Sequence, residues 1–118
     1  MTAPFKVLAA NVSEDQLFET VRELASLYGW RLFSIRLSRR NVRGVRAEGF
    51  PDCVLVRAPR LIFAELKSEK GKVSPDQQGW YDDLRECADD GTMVWIGEMP
   101  EVYIWRPSDL EKLTEVLR

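Results

Sequence analysis

Histidine is missing altogether from this 118-residue chain. Its absence excludes Ser-His-Asp and Cys-His catalysis, histidine-ligated zinc and a histidine general base. A metal bound here would have to be a hard cation held by oxygen, such as Mg²⁺ or Mn²⁺. Cysteine is nearly as scarce. Cys53 and Cys87 show no metal-ligand spacing, and nothing points to an oxidising compartment, so they read as buried small hydrophobes or bystanders rather than a disulfide. No apolar run approaches the ~20 residues that span a bilayer, and the N-terminus lacks a signal-peptide pattern. The default expectation is a cytoplasmic protein without membrane partners.

With 45% hydrophobic and 31% charged residues, the composition is that of an ordinary globular protein. The length suits one domain over residues 1–118. The net charge of -2 conceals an uneven distribution. Basic residues Arg31, Arg36, Arg39, Arg40, Arg43, Arg46, Arg57 and Arg60 face only Glu48 and Asp52 in the same stretch, whereas acids dominate from Ser74 onward. Such a segment offers a polyanion a local docking surface. It is equally a solvated loop whose arginines pair with neighbouring acids.

Ser13 and Gln16 form a capping box ahead of an apolar stripe, Leu17, Val21, Leu24 and Tyr28, with Gly29 as C-cap; this predicts the first helix. Arg31 to Leu37 reads as a strand and Ser38 to Phe50 as a loop with breakers at Asn41, Gly44 and Gly49. Cys53–Val56 and Leu61–Lys67 read as strands joined by a turn at Pro59, the second apolar on both sides and hence central. Ser74, Pro75 and Gln77 open a second helix that ends before Gly91. Strands over Thr92–Gly97 and Val102–Trp105 and a closing helix over Pro107–Leu117 complete the order α-β-β-β-α-β-β-α, an α/β layer domain.

Residues two apart in a strand point to one side, so Glu65 and Lys67 share a face. If the two central strands pair as a hairpin, Asp52 joins Glu65 at the same end of the sheet. Carboxylates brought together at the edge of a core repel unless a cation sits between them. A Mg²⁺ held by both would polarise a phosphoryl oxygen and acidify a bound water, while Lys67 orients or deprotonates that water or stabilises charge on phosphorus. An internal Glu–Lys or Asp–Lys ion pair fits the spacing equally, and such pairs are the commoner. Helical-wheel angles single out two further side chains. On the first helix Glu14 lies at about 60° from Leu17, within the buried stripe, whereas Glu19 and Glu23 point outward; it either needs a partner there or is simply a favourable charge in the first helical turn. On the second, Gln77 lies at about 60° from Trp80 and Gln78 faces away. Gln77 is thus placed to hold a phosphate or metal-bound water, to cap its own helix, or both.

Gly49-Phe50-Pro51-Asp52, Glu65-Leu66-Lys67, Gly71 and Ser74-Pro75-Asp76-Gln77 followed by Trp80 resemble the virus-type replication-repair nuclease (VRR-NUC) domain of the PD-(D/E)XK nuclease superfamily. The likeness runs from Glu14 to Trp105-Arg106-Pro107-Ser108-Asp109 and is nearest the small stand-alone phage and bacterial type. It implies a restriction-endonuclease-like core, a mixed central sheet flanked by helices, with Asp52, Glu65 and the backbone carbonyl of Leu66 as metal ligands. Lys67 takes the catalytic lysine role, Gln77 matches the helix glutamine and Glu14 the first-helix glutamate. One departure, the lack of a histidine near Ser34, leaves the metal motif intact. The implied activity is that of a Mg²⁺- or Mn²⁺-dependent endodeoxyribonuclease acting on branched DNA, a Holliday-junction resolvase or flap nuclease, with a homodimer as a possible assembly and a bacterium or a phage's host cell as the setting. Arg39, Arg40, Arg43 and Arg46 would grip phosphates. The rival expectations are a catalytically silent DNA-binding or assembly module of the same fold and an unrelated soluble interaction protein whose arginines are merely solvated.

Overall fold

The computed structural model describes residues 9–37, 44–89 and 99–118. Helix α1 spans Glu14–Leu27. Ser13 Oγ accepts from the Gln16 N–H at 3.1 Å and Gln16 Oε1 accepts from the Ser13 N–H at 2.8 Å, so the capping box forms as the sequence predicts. At the other end Gly29 takes a φ of +77°. The Trp30 and Gly29 N–H groups donate to Ala25 O and Ser26 O, the bond pair of a glycine-terminated helix. The buried stripe is Leu17, Phe18, Val21 and Ala25, with Leu24 and Tyr28 at its margin, slightly rotated from the predicted one.

Strand β1 covers Arg31–Ser34, β2 Cys53–Arg57, β3 Arg60–Leu66 and β4 Glu101–Trp105. Their order is β1-β2-β3-β4. The first three pair antiparallel, and β4 runs parallel to β3 after the crossover through helix α2, Pro75–Asp89. β3 is interior, as its two-sided apolar sequence requires. β1 is shorter than predicted. The Ser34 hydroxyl accepts from the Arg36 N–H at 3.1 Å, which turns the chain into a 3-10 turn, Ile35–Leu37, in place of further strand. A second 3-10 turn, Pro107–Asp109, precedes the closing helix α3, Leu110–Leu117. The expected Thr92–Gly97 strand, Gly91 and Trp95 lie outside the described residues.

Period-two alternation divides the sheet. Cys53, Leu55, Ile62, Ala64 and Leu66 turn to one face and form the core with α1 and with Leu113 and Leu117 of α3. Burying one such leucine stabilises by roughly 1.5–3 kcal/mol. Val54, Phe63 and Glu65 turn to the other face, where α2 packs: Phe50 bridges Trp80 of α2 and Phe63 through edge-to-face contacts at 5.0 and 6.2 Å.

Three arginines counted as a docking surface are spent inside the fold. Arg57 donates to Tyr28 O and Leu117 O, and Arg60 to Val116 O and both oxygens of Glu101. Both guanidinium groups lie over the Trp30 ring, at 4.6 and 5.0 Å, and Trp30 Nε1 donates to Leu117 O. Cations and donors thus meet the exposed carbonyls at the end of α3, where the helix dipole is negative. Arg36 is the third.

Candidate active site

The β2–β3 register pairs Cys53 with Ala64, so Asp52, one step before β2, comes level with Glu65 on the α2 face. Asp52, Glu65 and Lys67 are all buried, at 8%, 6% and 9% exposure, although these residue types are almost never enclosed without partners. The hairpin brings Asp52 to Glu65 and Lys67, a step that spacing alone could not supply.

Asp52 is fixed at both oxygens. Its Oδ2 accepts from the Leu66 N–H at 2.8 Å and its Oδ1 from Arg36 Nε at 3.2 Å. Arg36 also reaches Asp15 at 2.6 Å and Glu14 at 3.8 Å. Glu14 therefore stands at the rim, partly exposed, and is linked to Asp52 through Arg36. Arg36 went unrecognised as a site residue in the sequence. No local signal marked it: it lies in a segment read as strand, and its acidic partners Glu14, Asp15 and Asp52 are distant in sequence.

Glu65 Oε1 accepts from Gln77 Nε2 at 2.9 Å. Ser74 and Gln77 form the predicted capping box: Gln77 Oε1 accepts from the Ser74 N–H at 2.9 Å, and Ser74 Oγ accepts from the Gln77 N–H at 3.2 Å. With its oxygen committed to the cap, the amide can present only its NH₂ to Glu65, so capping and orienting are one arrangement. Gln77→Met keeps the length and loses both contacts. We expect metal affinity or activity to fall about 10- to 100-fold, the usual cost of removing a partner that orients a ligand, read by metal titration and cleavage rate.

Burial, then the charge of Asp52 within hydrogen-bonding reach, pushes the Glu65 carboxyl up to about 8, with Lys67 opposing the rise. Burial and the charge of Asp52 likewise push the Cys53 thiol up to about 12, which leaves it an inert core residue. Cys53 and Cys87 are both free.

Two adjacent buried carboxylates, one of them reluctant to ionise, suit a divalent cation. Each carboxylate has about four acceptor sites, so the bonds described leave lone pairs for a metal. Among the described residues no cluster of three or more His, Cys, Asp or Glu side chains is gathered. A cation here would complete its shell with backbone carbonyl, water or substrate phosphate, the mode common for Mg²⁺.

The turn that follows Lys67 is held from the far end of the chain. One Arg106 nitrogen donates to Ser68 O, Glu69 O and Gly71 O at 2.8–3.1 Å, and Glu69 accepts from the Ser108 N–H. On the opposite side Gly49, at a φ of +84°, lies against the start of α2. A Cβ there would come within 2.5 Å of the Asp76 and Gln77 backbone. Gly49→Ala must therefore displace either this loop or the helix end that carries Gln77. The positive φ alone costs about 1–3 kcal/mol. We expect a lower melting temperature together with lost activity, checked by thermal unfolding and cleavage rate.

A cleft of about 840 Å³ opens beside the carboxylates, lined by Phe33, Ile35, residues 44, 45 and 47–50, Asp52, Glu65, Gln77 and Trp80. Arg46 is exposed, while Arg39, Arg40 and Arg43 lie outside the described residues. No helix among the described residues is long and apolar enough to cross a membrane.

Among the described residues, a four-stranded mixed sheet flanked by helices, with two acids and a lysine at one end, defines an α/β domain of the restriction-endonuclease-like class. The VRR-NUC domain model matches residues 6–94, a span that holds Asp52, Glu65, Lys67 and Gln77. The chain belongs to the VRR-NUC domain family, a nuclease-type family. No curated protein and no solved structure matches it.

Proposed function

We propose that the chain is a Mg²⁺- or Mn²⁺-dependent DNA endonuclease that hydrolyses phosphodiester bonds, selective for branched DNA such as junctions or flaps. The observation that carries this reading is the burial of Asp52 and Glu65 level with each other in the wall of an open cleft, with Lys67 buried two residues beyond Glu65. Asp52, Glu65 and the Leu66 carbonyl would hold the cation, with Glu14 contributing at the rim. Bound there, the metal supplies Lewis-acid activation of the phosphoryl oxygen and a more acidic water. Arg36 and the Leu66 N–H hold the Asp52 carboxylate in one orientation, and Gln77 does the same for Glu65. Lys67 assists the attacking water or stabilises charge on phosphorus. Arg39, Arg40, Arg43 and Arg46 serve phosphate contacts.

The test is incubation with a labelled four-way junction, a flap and plain duplex in Mg²⁺, Mn²⁺ or EDTA. Cleavage of the branched substrates with metal and none in EDTA is expected. If neither metal supports cutting, and binding persists in EDTA and weakens steeply with salt, the chain is instead a DNA-binding module.

A further inference from the structure

We infer that the cleft beside Asp52 and Glu65 receives an unpaired nucleobase of the DNA strand; this rests on the nuclease reading and extends it to the form of the substrate. The cleft is walled by Phe33, Ile35, Val45, Phe50 and Trp80. Two of these are unusually open to solvent, Phe33 at 59% and Val45 at 92%. A concavity walled by aromatic and aliphatic side chains with a few polar groups is the usual form of a ligand site. The cleft's volume of about 840 Å³ lies within the roughly 300–1,000 Å³ of small-molecule sites.

Charge selects the occupant. The described residues that line the cleft include Glu48, Asp52 and Glu65 and no lysine or arginine. Away from the two carboxylates, where a bound cation would meet the scissile phosphate, a neutral heteroaromatic ring would meet aromatic and aliphatic faces. Because the same cavity reaches the two carboxylates, a base seated in it belongs to a nucleotide beside the bond being cut. A paired base in a continuous stack cannot enter, so the cleft favours single-stranded arms and splayed branch points over plain duplex.

The experiment is equilibrium binding by the full chain, in EDTA, of a short single strand and of the same strand with abasic spacers in place of bases. Stacking on an aromatic wall should favour the strand with bases by about tenfold or more. Phe33→Leu keeps the apolar bulk but not the ring and should erase most of that preference, whereas Phe33→Tyr should retain it. Equal binding of the two strands by the native chain overturns the proposal. So does a preference that Phe33→Leu leaves intact, or a native dimer that Phe33→Leu dissociates, which would make this face a contact between copies. Because no cutting is needed, these results are independent of whether the nuclease reading holds. That reading fails separately, through the metal-dependent cleavage assay.

Discussion

Lys67→Met is expected to reduce cleavage about 10²- to 10⁴-fold while the protein stays folded. The substitution keeps an unbranched chain in a position only 9% exposed and removes the ammonium alone. The ammonium two residues beyond Glu65 is then gone, and losses of this size are usual for a missing acid, base or electrostatic donor. The check is a single-turnover cleavage rate together with a melting temperature. If Lys67→Met cuts within a few-fold of the native rate, Lys67 is a structural ion-pair partner and not part of the chemistry.

The second large effect is on stability. In the metal-free protein Glu65 is raised from 4.5 to about 8 by burial and by Asp52. A carboxyl whose folded-state value is raised holds its proton longer when folded than when unfolded. Its contribution is therefore fully present below about pH 4.5 and is lost as pH rises through about 8. The metal-free protein should lose stability across that window, with a limiting slope of about 1.4 kcal/mol per pH unit for one proton. Mg²⁺ or Mn²⁺ should restore it, because a cation binds the ionised pair. Glu65→Gln cannot ionise, so it should flatten the pH dependence, melt higher than the native chain above pH 8 without metal, and gain nothing from metal. Melting curves from pH 5 to 9, with and without Mn²⁺, decide this. A native profile that does not fall with pH contradicts the assignment of Glu65.

Much of this arrangement was legible in local sequence signals. The two capping boxes, at Ser13–Gln16 and Ser74–Gln77, and the glycine at position 29 involve partners within a few residues, and each forms as expected. The two-sided apolar character of β3 likewise announced its interior place. The Asp52–Glu65–Lys67 corner was suggested by spacing, but it depended on a hairpin register that spacing does not specify. Family resemblance favoured it, and the Cys53–Ala64 pairing brings the three residues together.

What escaped notice was long-range or depended on competition between partners. Ser34 ends β1 because its hydroxyl captures a backbone N–H that the ladder would otherwise have used. For Arg36, Arg57 and Arg60, charge counted along the chain left a nucleic-acid surface and pairing with acids equally open. In space they serve Asp52, the end of α3 and Glu101. Arg106 clamps carbonyls more than thirty residues away, a contact that no period or motif foretells. The cleft wall was equally hidden: Phe33 lay in a segment read simply as strand, and nothing local foretold its exposure.

The account turns on Asp52 and Glu65 acting as one cation site, and a calorimetric titration of the native chain with Mn²⁺ near pH 7, repeated in two buffers of different ionisation enthalpy, tests it most directly. Because Glu65 still holds its proton at that pH, Mn²⁺ should bind with release of about one proton, and Glu65→Gln should abolish both the binding and the release. Equal Mn²⁺ binding by Glu65→Gln, or none by the native chain, would contradict it.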